Sequence, residues 1–302
     1  MKPTTTRLFQ ATRALLHENP LGLPPKGLPP RFQRGLPTKR PIRSVKKVIA
    51  ISSAKGGVGK STIAANLSLA FARLGLRSGI LDTDVFGPSI PTLFNLSGEP
   101  ELSAQKQLVP LTAYGVQTMS IGYLVPATSA VVWRGPMLLK AVQQLLHEVD
   151  WGSKWGGLDV LVLDLPPGTG DTQLSITQQV VLDGAVIATT PHTLAVVDAV
   201  KGVDMFGKVG VPLLGLVQNM SVFCCPGCGS ETAVFGTGEK VKGICKEHNM
   251  EFLADVPLHP NIGEDASKGK PTVVAEPESA RAMVFMDIAR KIGKKIGLDI
   301  KG

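Results

Sequence analysis

Ser52-Ser53-Ala54-Lys55-Gly56-Gly57-Val58-Gly59-Lys60-Ser61-Thr62 limits the folds open to this chain more than any other stretch. It follows an apolar run, Val48 to Ile51, that reads as a strand, and precedes Ile63 to Leu74, whose apolar spacing is helical. A glycine-rich turn between strand and helix aims consecutive backbone N–H groups, at the positive end of the helix dipole, toward one point where a phosphate is stabilised. In that setting Gly56, Gly57, Val58 and Gly59 form the cradle, and Lys60 reaches the β- and γ-phosphates. The Ser61 hydroxyl, with Thr62 behind it, ligates Mg²⁺. The pattern G-x-x-x-x-G-K-[ST] is met at Gly59-Lys60-Ser61, with Ala54 standing where its first glycine belongs. The second lysine, Lys55, is not required by that pattern and marks a subclass.

From Lys47 onward short apolar runs alternate with helical stretches, the requirement of a doubly wound, mostly parallel α/β sheet. Strands are expected at Arg77–Asp82, Val116–Ile121, Leu158–Asp164, Ala185–Thr189, Leu213–Gln218 and Phe252–Val256. Helices are expected at Pro136–Val149, from Asp171, and at Leu194–Lys208, Gly238–Asn249 and Ala280–Ile296. Parallel strands gather their C-terminal loops at one edge, here 54–62, 82–89, 164–171, 190–193 and 219–228, where ligands bind in such sheets.

The net charge of +8 invites a nucleic-acid reading, but the charges are unevenly placed. Residues 1–47 hold 11 Lys/Arg against one acid, Glu18, so the remainder carries a net charge of −2. A nearly neutral body argues against a nucleic-acid partner. The leader is Arg-rich and acid-poor. It has a short amphipathic stretch, Arg7 to Leu16, and a proline-rich run, Pro20 to Pro41, which fits an organellar transit peptide better than a secretory signal. The expected organisation is a leader over residues 1–40 and a single domain over 41–302.

A phosphoryl-transfer site needs a carboxylate for Mg²⁺ and a group that orients the attacking water. Asp164, closing a continuous apolar strand, is the candidate metal carboxylate. The Pro166-Pro167-Gly168 that follows places a backbone N–H at Gly168 for the γ-phosphate. Asp82 and Asp84 are candidates for the outer Mg²⁺ shell and for water activation, with turn formation as the plainer alternative. All four cysteines lie in one window, Cys224, Cys225, Cys228 and Cys245. The Cys225-x-x-Cys228 spacing suits Zn²⁺ or an iron–sulfur cluster. Two subunits sharing a cluster, completion by Cys224 and Cys245 within one chain, and a structural zinc all remain open, with the shared site preferred. A C-terminal basic amphipathic helix, Phe285 to Ile296, reads as a core-packed helix first and as a weak peripheral membrane contact second.

Taken together, these motifs resemble a known family. Ala54 to Thr62 is similar to the deviant Walker A loop of the dimeric MinD/ParA-like ATPases. Asp82 to Ser89, Val132 to Met137, Asp164 to Asp171 and Gln218-Asn219-Met220-Ser221…Cys225-x-x-Cys228 narrow the resemblance to the Mrp/ApbC family of P-loop iron–sulfur cluster carriers, in its mitochondrial, NUBPL-like, complex I assembly branch. It spans about residues 40 to 297. The resemblance implies a homodimer in the mitochondrial matrix that binds ATP and Mg²⁺. Lys55 would reach the partner's nucleotide, Asp84 would position the attacking water, and Asn219 would contact adenine. Cys225 and Cys228, with their dimer mates, would hold a labile [4Fe–4S] cluster for apo-proteins, complex I subunits among them. The rival expectation is a partitioning ATPase that acts on DNA or membrane without a cluster.

Overall fold

The structure is a computed structural model that describes residues 39–125, 135–225 and 227–300. The leader through residue 38, the Val132-Trp133-Arg134 part of the family pattern, and Pro226 lie outside the described residues. In chain order the elements are β1 (Val45–Ser52), α1 (Lys60–Arg73), β2 (Ser78–Asp82), α2 (Ile90–Leu93), β3 (Leu111–Ala113), β4 (Val116–Ser120), α3 (Gly135–His147), β5 (Leu158–Asp164) and α4 (Asp171–Gln179). They continue with β6 (Gly184–Thr189), α5 (Thr193–Lys208), β7 (Leu213–Cys224), β8 (Glu231–Thr232), α6 (Glu239–Glu247), β9 (Phe252–Leu258), α7 (Pro260–Ser267), α8 (Thr272–Ala275) and α9 (Ala280–Lys295).

The strands form one sheet in the order β3-β4-β2-β5-β1-β6-β7-β8, with β9 also paired to β7. All pairings are parallel except β3 on β4 and β8 on β7, so the doubly wound expectation holds. Strands buried on both faces need continuous apolar runs, and β1 and β5 supply them over Val48–Ile51 and Val160–Leu163. Ile49 and Ile51 of β1, with Val160 and Val162 of β5, pack under Phe71 of α1 and Phe285, Ile288 and Ile292 of α9. Val48, Ala50, Leu161 and Leu163 join Leu146 of α3, Ile176 of α4 and Phe206 of α5 on the opposite face.

At the N-terminal ends of these strands one carboxylate fastens three of them. Asp159 accepts from Arg77 Nε at 3.0 Å and Arg77 Nη2 at 2.9 Å, from the Arg77 backbone N–H at 3.0 Å, and from Lys46 Nζ at 2.9 Å. The Arg77 fork holds the Asp159 carboxyl far below the usual carboxylate range.

Two regions depart from the sequence expectation. β7 runs through Asn219-Met220-Ser221 to Cys224, well past Gln218, and turns back as β8, so the cysteine segment is the tip of a β-hairpin rather than a plain loop. The polar break in the pattern hides a strand because Met220 adopts a positive φ of 54° in a bulge. β3, α7 and α8 carry no periodic signal of their own; each is eight residues or shorter. The apolar face of α9 is spent in the core, and Lys291 and Lys295 donate to the carbonyls of Leu253 and Leu214 at 2.6 and 2.7 Å. Among the described residues no helix is long and apolar enough to cross a membrane.

Candidate functional site

The glycine-rich loop joins β1 to α1 as expected. Gly57 and Gly59 both take positive φ, 81° and 82°, and the Gly59 carbonyl accepts the first helical bond, from Ile63 N–H at 3.0 Å. Gly59 is required on a second count. A Cβ there would lie 2.1 Å from Asn219 Nδ2, because the Asn219 amide packs on the loop and donates to the Val58 carbonyl at 2.9 Å. Gly56 and Gly57 are exposed, Val58 is buried, and Thr62 lies on the first turn of α1. Lys55 is half-buried, its carbonyl accepting from Ser53 Oγ at 3.0 Å.

Three of the predicted residues converge beside this loop. Lys60 Nζ lies 2.5 Å from Asp164 Oδ1 and 3.2 Å from Ser61 Oγ, with the lysine side chain 7% exposed and the carboxylate fully buried. Burial pushes the Asp164 carboxyl up, and Lys60 pulls it back. Asp164 Oδ2 is buried with no hydrogen-bond partner among the described residues. An orphaned carboxylate oxygen beside a serine hydroxyl is a donor set that suits Mg²⁺, a hard cation that takes oxygen ligands.

Asp82 sits in register with Asp164 on the neighbouring strand and is also fully buried. Its oxygens accept from the backbone N–H groups of Asp84 at 3.0 Å, Ser89 at 2.9 Å and Ile90 at 3.2 Å, and from Ser120 Oγ at 3.1 Å. It therefore shapes the 83–90 loop. Burial, with the Asp164 charge adding to it, lifts its pKa to about 7 against the pull of those N–H donors. Asp84 is half-buried at the mouth of the site, accepting from Gly87 N–H at 3.3 Å. Thr83 ties the two strand ends together, its N–H and Oγ1 both donating to the Asp164 carbonyl at 3.0 and 2.8 Å. The Gly168 N–H, expected to face a γ-phosphate, donates to the Ser53 carbonyl at 2.9 Å, and reaching a phosphate requires it to exchange that partner.

Beside the loop, a mostly apolar cavity of about 460 Å³ is lined by Gly59, Thr62 and Asn219, by Met220 and Phe223 further along β7, and by Pro257 to Pro260 from the end of β9 to the start of α7. Asn219 thus lies on the wall that this cavity shares with the phosphate loop. Sequence reasoning missed the 257–263 wall. Phe252–Val256 read as a parallel strand, and that alone puts its C-terminal loop at the ligand edge. It also missed Thr83 and Ser120, whose roles exist only through pairing with other strands.

The cysteines divide into two groups. Cys224, Cys225 and Cys228 sit at the hairpin tip, where Cys225 N–H donates to Ser230 O at 3.0 Å and Gly229 N–H to Cys225 O at 2.8 Å. Cys228 Sγ lies 3.1 Å from Ser230 Oγ, and hydrogen bonds from Ser230 and the Cys225 thiol lower the Cys228 pKa. Cys224 Sγ turns to the Gly229 carbonyl at 3.5 Å. Cys245 is buried on α6 beside Val241 and Ile244, with its pKa raised by burial. No three His, Cys, Asp or Glu side chains converge on a metal position among the described residues. At the tip Cys224 and Cys228 are exposed and Cys225 is half-buried, fewer than the four cysteines a [4Fe–4S] cluster takes.

Comparison with known proteins agrees with this geometry. Residues 44–293 match the family described as NUBPL iron-transfer P-loop NTPase. The iron-sulfur cluster transfer protein NUBPL of Mus musculus is 48% identical over 267 residues, covering 88% of this chain and 82% of the mouse protein. The iron-sulfur cluster carrier protein of Haemophilus influenzae is 46% identical over 256 residues, 84% of this chain and 68% of that protein. Among solved structures, the nucleotide-binding protein in complex with ADP from Archaeoglobus fulgidus superposes with a TM-score of 0.66 at 35% identity, covering 78% of this chain and 90% of that one. The Pyrococcus furiosus cell division ATPase MinD shares the fold at a TM-score of 0.60 and 22% identity, over 82% of this chain and 98% of its own. The loop, its lysine–aspartate pair and these matches lead to one conclusion: the chain belongs to the NUBPL iron-transfer P-loop NTPase family.

Proposed function

We propose that the chain is an ATP-dependent iron–sulfur carrier that binds a labile [4Fe–4S] cluster between two copies of itself and delivers it to apo-proteins. The observation that carries this reading is the Cys225-x-x-Cys228 tip, half-buried at Cys225 and exposed at Cys228, on the hairpin that continues the strand whose Asn219 braces the phosphate loop. In this reading Gly56 to Thr62 hold the phosphates, and Lys60 exchanges Asp164 for the β/γ-phosphate oxygens. Ser61 and Asp164 would hold Mg²⁺, with Asp82 behind them, and the ion would neutralise charge on the phosphates. Asp84 orients the attacking water, Gly168 N–H turns from Ser53 to the γ-phosphate, and Lys55 reaches the partner copy's nucleotide. Asn219 faces the adenine. Hydrolysis is slow and gates the cluster rather than making a product.

The names of the relatives support the cargo, and the basic leader supports delivery in the mitochondrial matrix, with complex I subunits as the clients. A partitioning role on DNA or membrane is less well supported, because the folded body carries no excess of positive charge and the apolar face of α9 is buried. The test is anaerobic reconstitution with iron and sulfide, read by absorption and native mass spectrometry. One cluster per two chains is expected, lost in Cys225→Ala and Cys228→Ala and kept in Cys245→Ala. A full cluster per single chain, or one that survives loss of either hairpin cysteine, would overturn the bridged-dimer model.

A further inference from the structure

The geometry points to Met220 as a positioning residue that passes the state of the nucleotide cavity to the cysteine hairpin. This rests on the reading that nucleotide occupies the loop and its cavity and that Cys225 and Cys228 hold the cargo.

β7 touches both places. Asn219 donates to the Val58 carbonyl of the phosphate loop, and the strand reaches the first hairpin cysteine, Cys224, five residues later. Between them the strand is irregular. Met220 is held at φ 54°, a region that side chains other than glycine enter only at a cost. The pairing with β9 runs from Asn219↔Val256 to Phe223↔Leu258, so β7 takes four steps where β9 takes two. Ser221 Oγ donates to the Val256 carbonyl at 3.2 Å and pins the far side of this bulge. Beyond it, Phe223 and Cys224 pair with Thr232 and Glu231 and open the hairpin.

The bulge also forms a wall of the cavity. Met220 and Phe223 line it beside Gly59, and a Cβ on Gly59 would come within 3.9 Å of Met220 Cε. Whatever fills the cavity therefore bears on the side chain that carries the strained backbone. Strain of this kind persists only while its surroundings enforce it, and a bulged strand has a second arrangement available, the one in which the extra residues shift. A change in contact at Met220 is passed by the covalent chain to Ser221, Phe223 and Cys224, and so to the aim of Cys225 and Cys228. Glycine at position 220 removes both elements of the device, the strain and the side chain in the cavity; leucine keeps both.

The experiment is hydrogen–deuterium exchange of residues 221–232 in the full-length, cluster-free protein. It is run with and without a non-hydrolysable ATP analogue and Mg²⁺, at concentrations set to equal occupancy in each variant. In the wild type, nucleotide changes hairpin exchange by about fivefold or more, the lower end of ordinary coupling between sites. The change disappears in Met220→Gly and persists in Met220→Leu. By linkage, loading the cluster shifts nucleotide affinity in the wild type by the factor by which nucleotide shifts cluster affinity, and leaves it unshifted in Met220→Gly. A Met220→Gly protein that keeps the nucleotide-dependent change, or a Met220→Leu protein that loses it as completely, overturns the inference. So does a wild-type hairpin that ignores bound nucleotide, which leaves the carrier function standing. Failure of the wild type to bind nucleotide or cluster refutes the carrier function itself.

Discussion

Asp82 and Asp164 are register partners on adjacent parallel strands, both without solvent exposure, yet they are neutralised in different ways. Asp164 has the Lys60 ammonium at 2.5 Å, whereas Asp82 is wrapped in three backbone N–H groups and a serine hydroxyl. One is held by a charge that a nucleotide competes for, the other by the loop it shapes.

Lys60→Ala leaves a buried carboxylate without its cation. Breaking such a pair costs about 3–5 kcal/mol, and proton uptake by Asp164 recovers part of it. The loss in urea denaturation is therefore expected to shrink as the pH is lowered from 7 to 5, and Lys60→Ala/Asp164→Asn is expected to be more stable than Lys60→Ala at pH 7. Equal stability of the single and double variants would mean that the pair does not carry this energy.

The two loop acids separate by the same logic. Asp82→Ala strands four donors, at about 1–3 kcal/mol for a buried one, and is expected to unfold well below the wild-type temperature. Asp84→Asn, at the half-exposed mouth, is expected to stay within about 0.5 kcal/mol of the wild type. Its ATP hydrolysis rate falls by about 10²–10⁴ if Asp84 positions the water. Thermal melts and phosphate release on both proteins distinguish shape from chemistry.

Gly59→Ala meets two obstacles, a positive φ and the Asn219 amide at 2.1 Å. The expected cost exceeds about 1–2 kcal/mol, the backbone part alone, and nucleotide binding is lost. Gly59→Ala/Asn219→Gly removes the collision and leaves the strain, so calorimetry should find a partial recovery of stability.

The clamp at the opposite end of the sheet predicts an acid limb. The Asp159 carboxyl titrates below its ordinary value of 3.8 in the folded chain, so its contribution is complete above that value and is lost as the pH falls through the folded pKa. Arg77 is 38% exposed, which screens the pair and holds its worth to about 1 kcal/mol. Asp159→Asn is expected to be less stable than the wild type at pH 7, with the difference closing below about pH 3. A gap that stays constant down to pH 2 would assign it to packing instead.

What sequence could reveal follows a physical division. The loop, Asp164, Asp84 and the cysteine pair announce themselves because their chemistry demands a fixed local order of residues. β1, β5 and α9 were legible because burial on one or both faces imposes a period. Ser120, Thr83 and the Pro257–Pro260 wall were not, since each acts through partners 34 or more residues away. Met220 hid a strand because a bulge breaks the alternation by which strands are read.

The packing of α9 on α1 also bears on how the protein is made. The helix that opens at Lys60 finds its cover in a helix that opens at Ala280, so most of the chain must be synthesised between them. At about 5–20 residues per second a ribosome needs tens of seconds for that interval. For that time Phe71 and its neighbours can pack on the sheet but have no native cover from α9, and the phosphate loop stands on a helix with one side open. The ATP-binding end of the molecule is thus translated early and matures late, and a chain cut short before residue 280 is expected to be a client of chaperones rather than an ATPase.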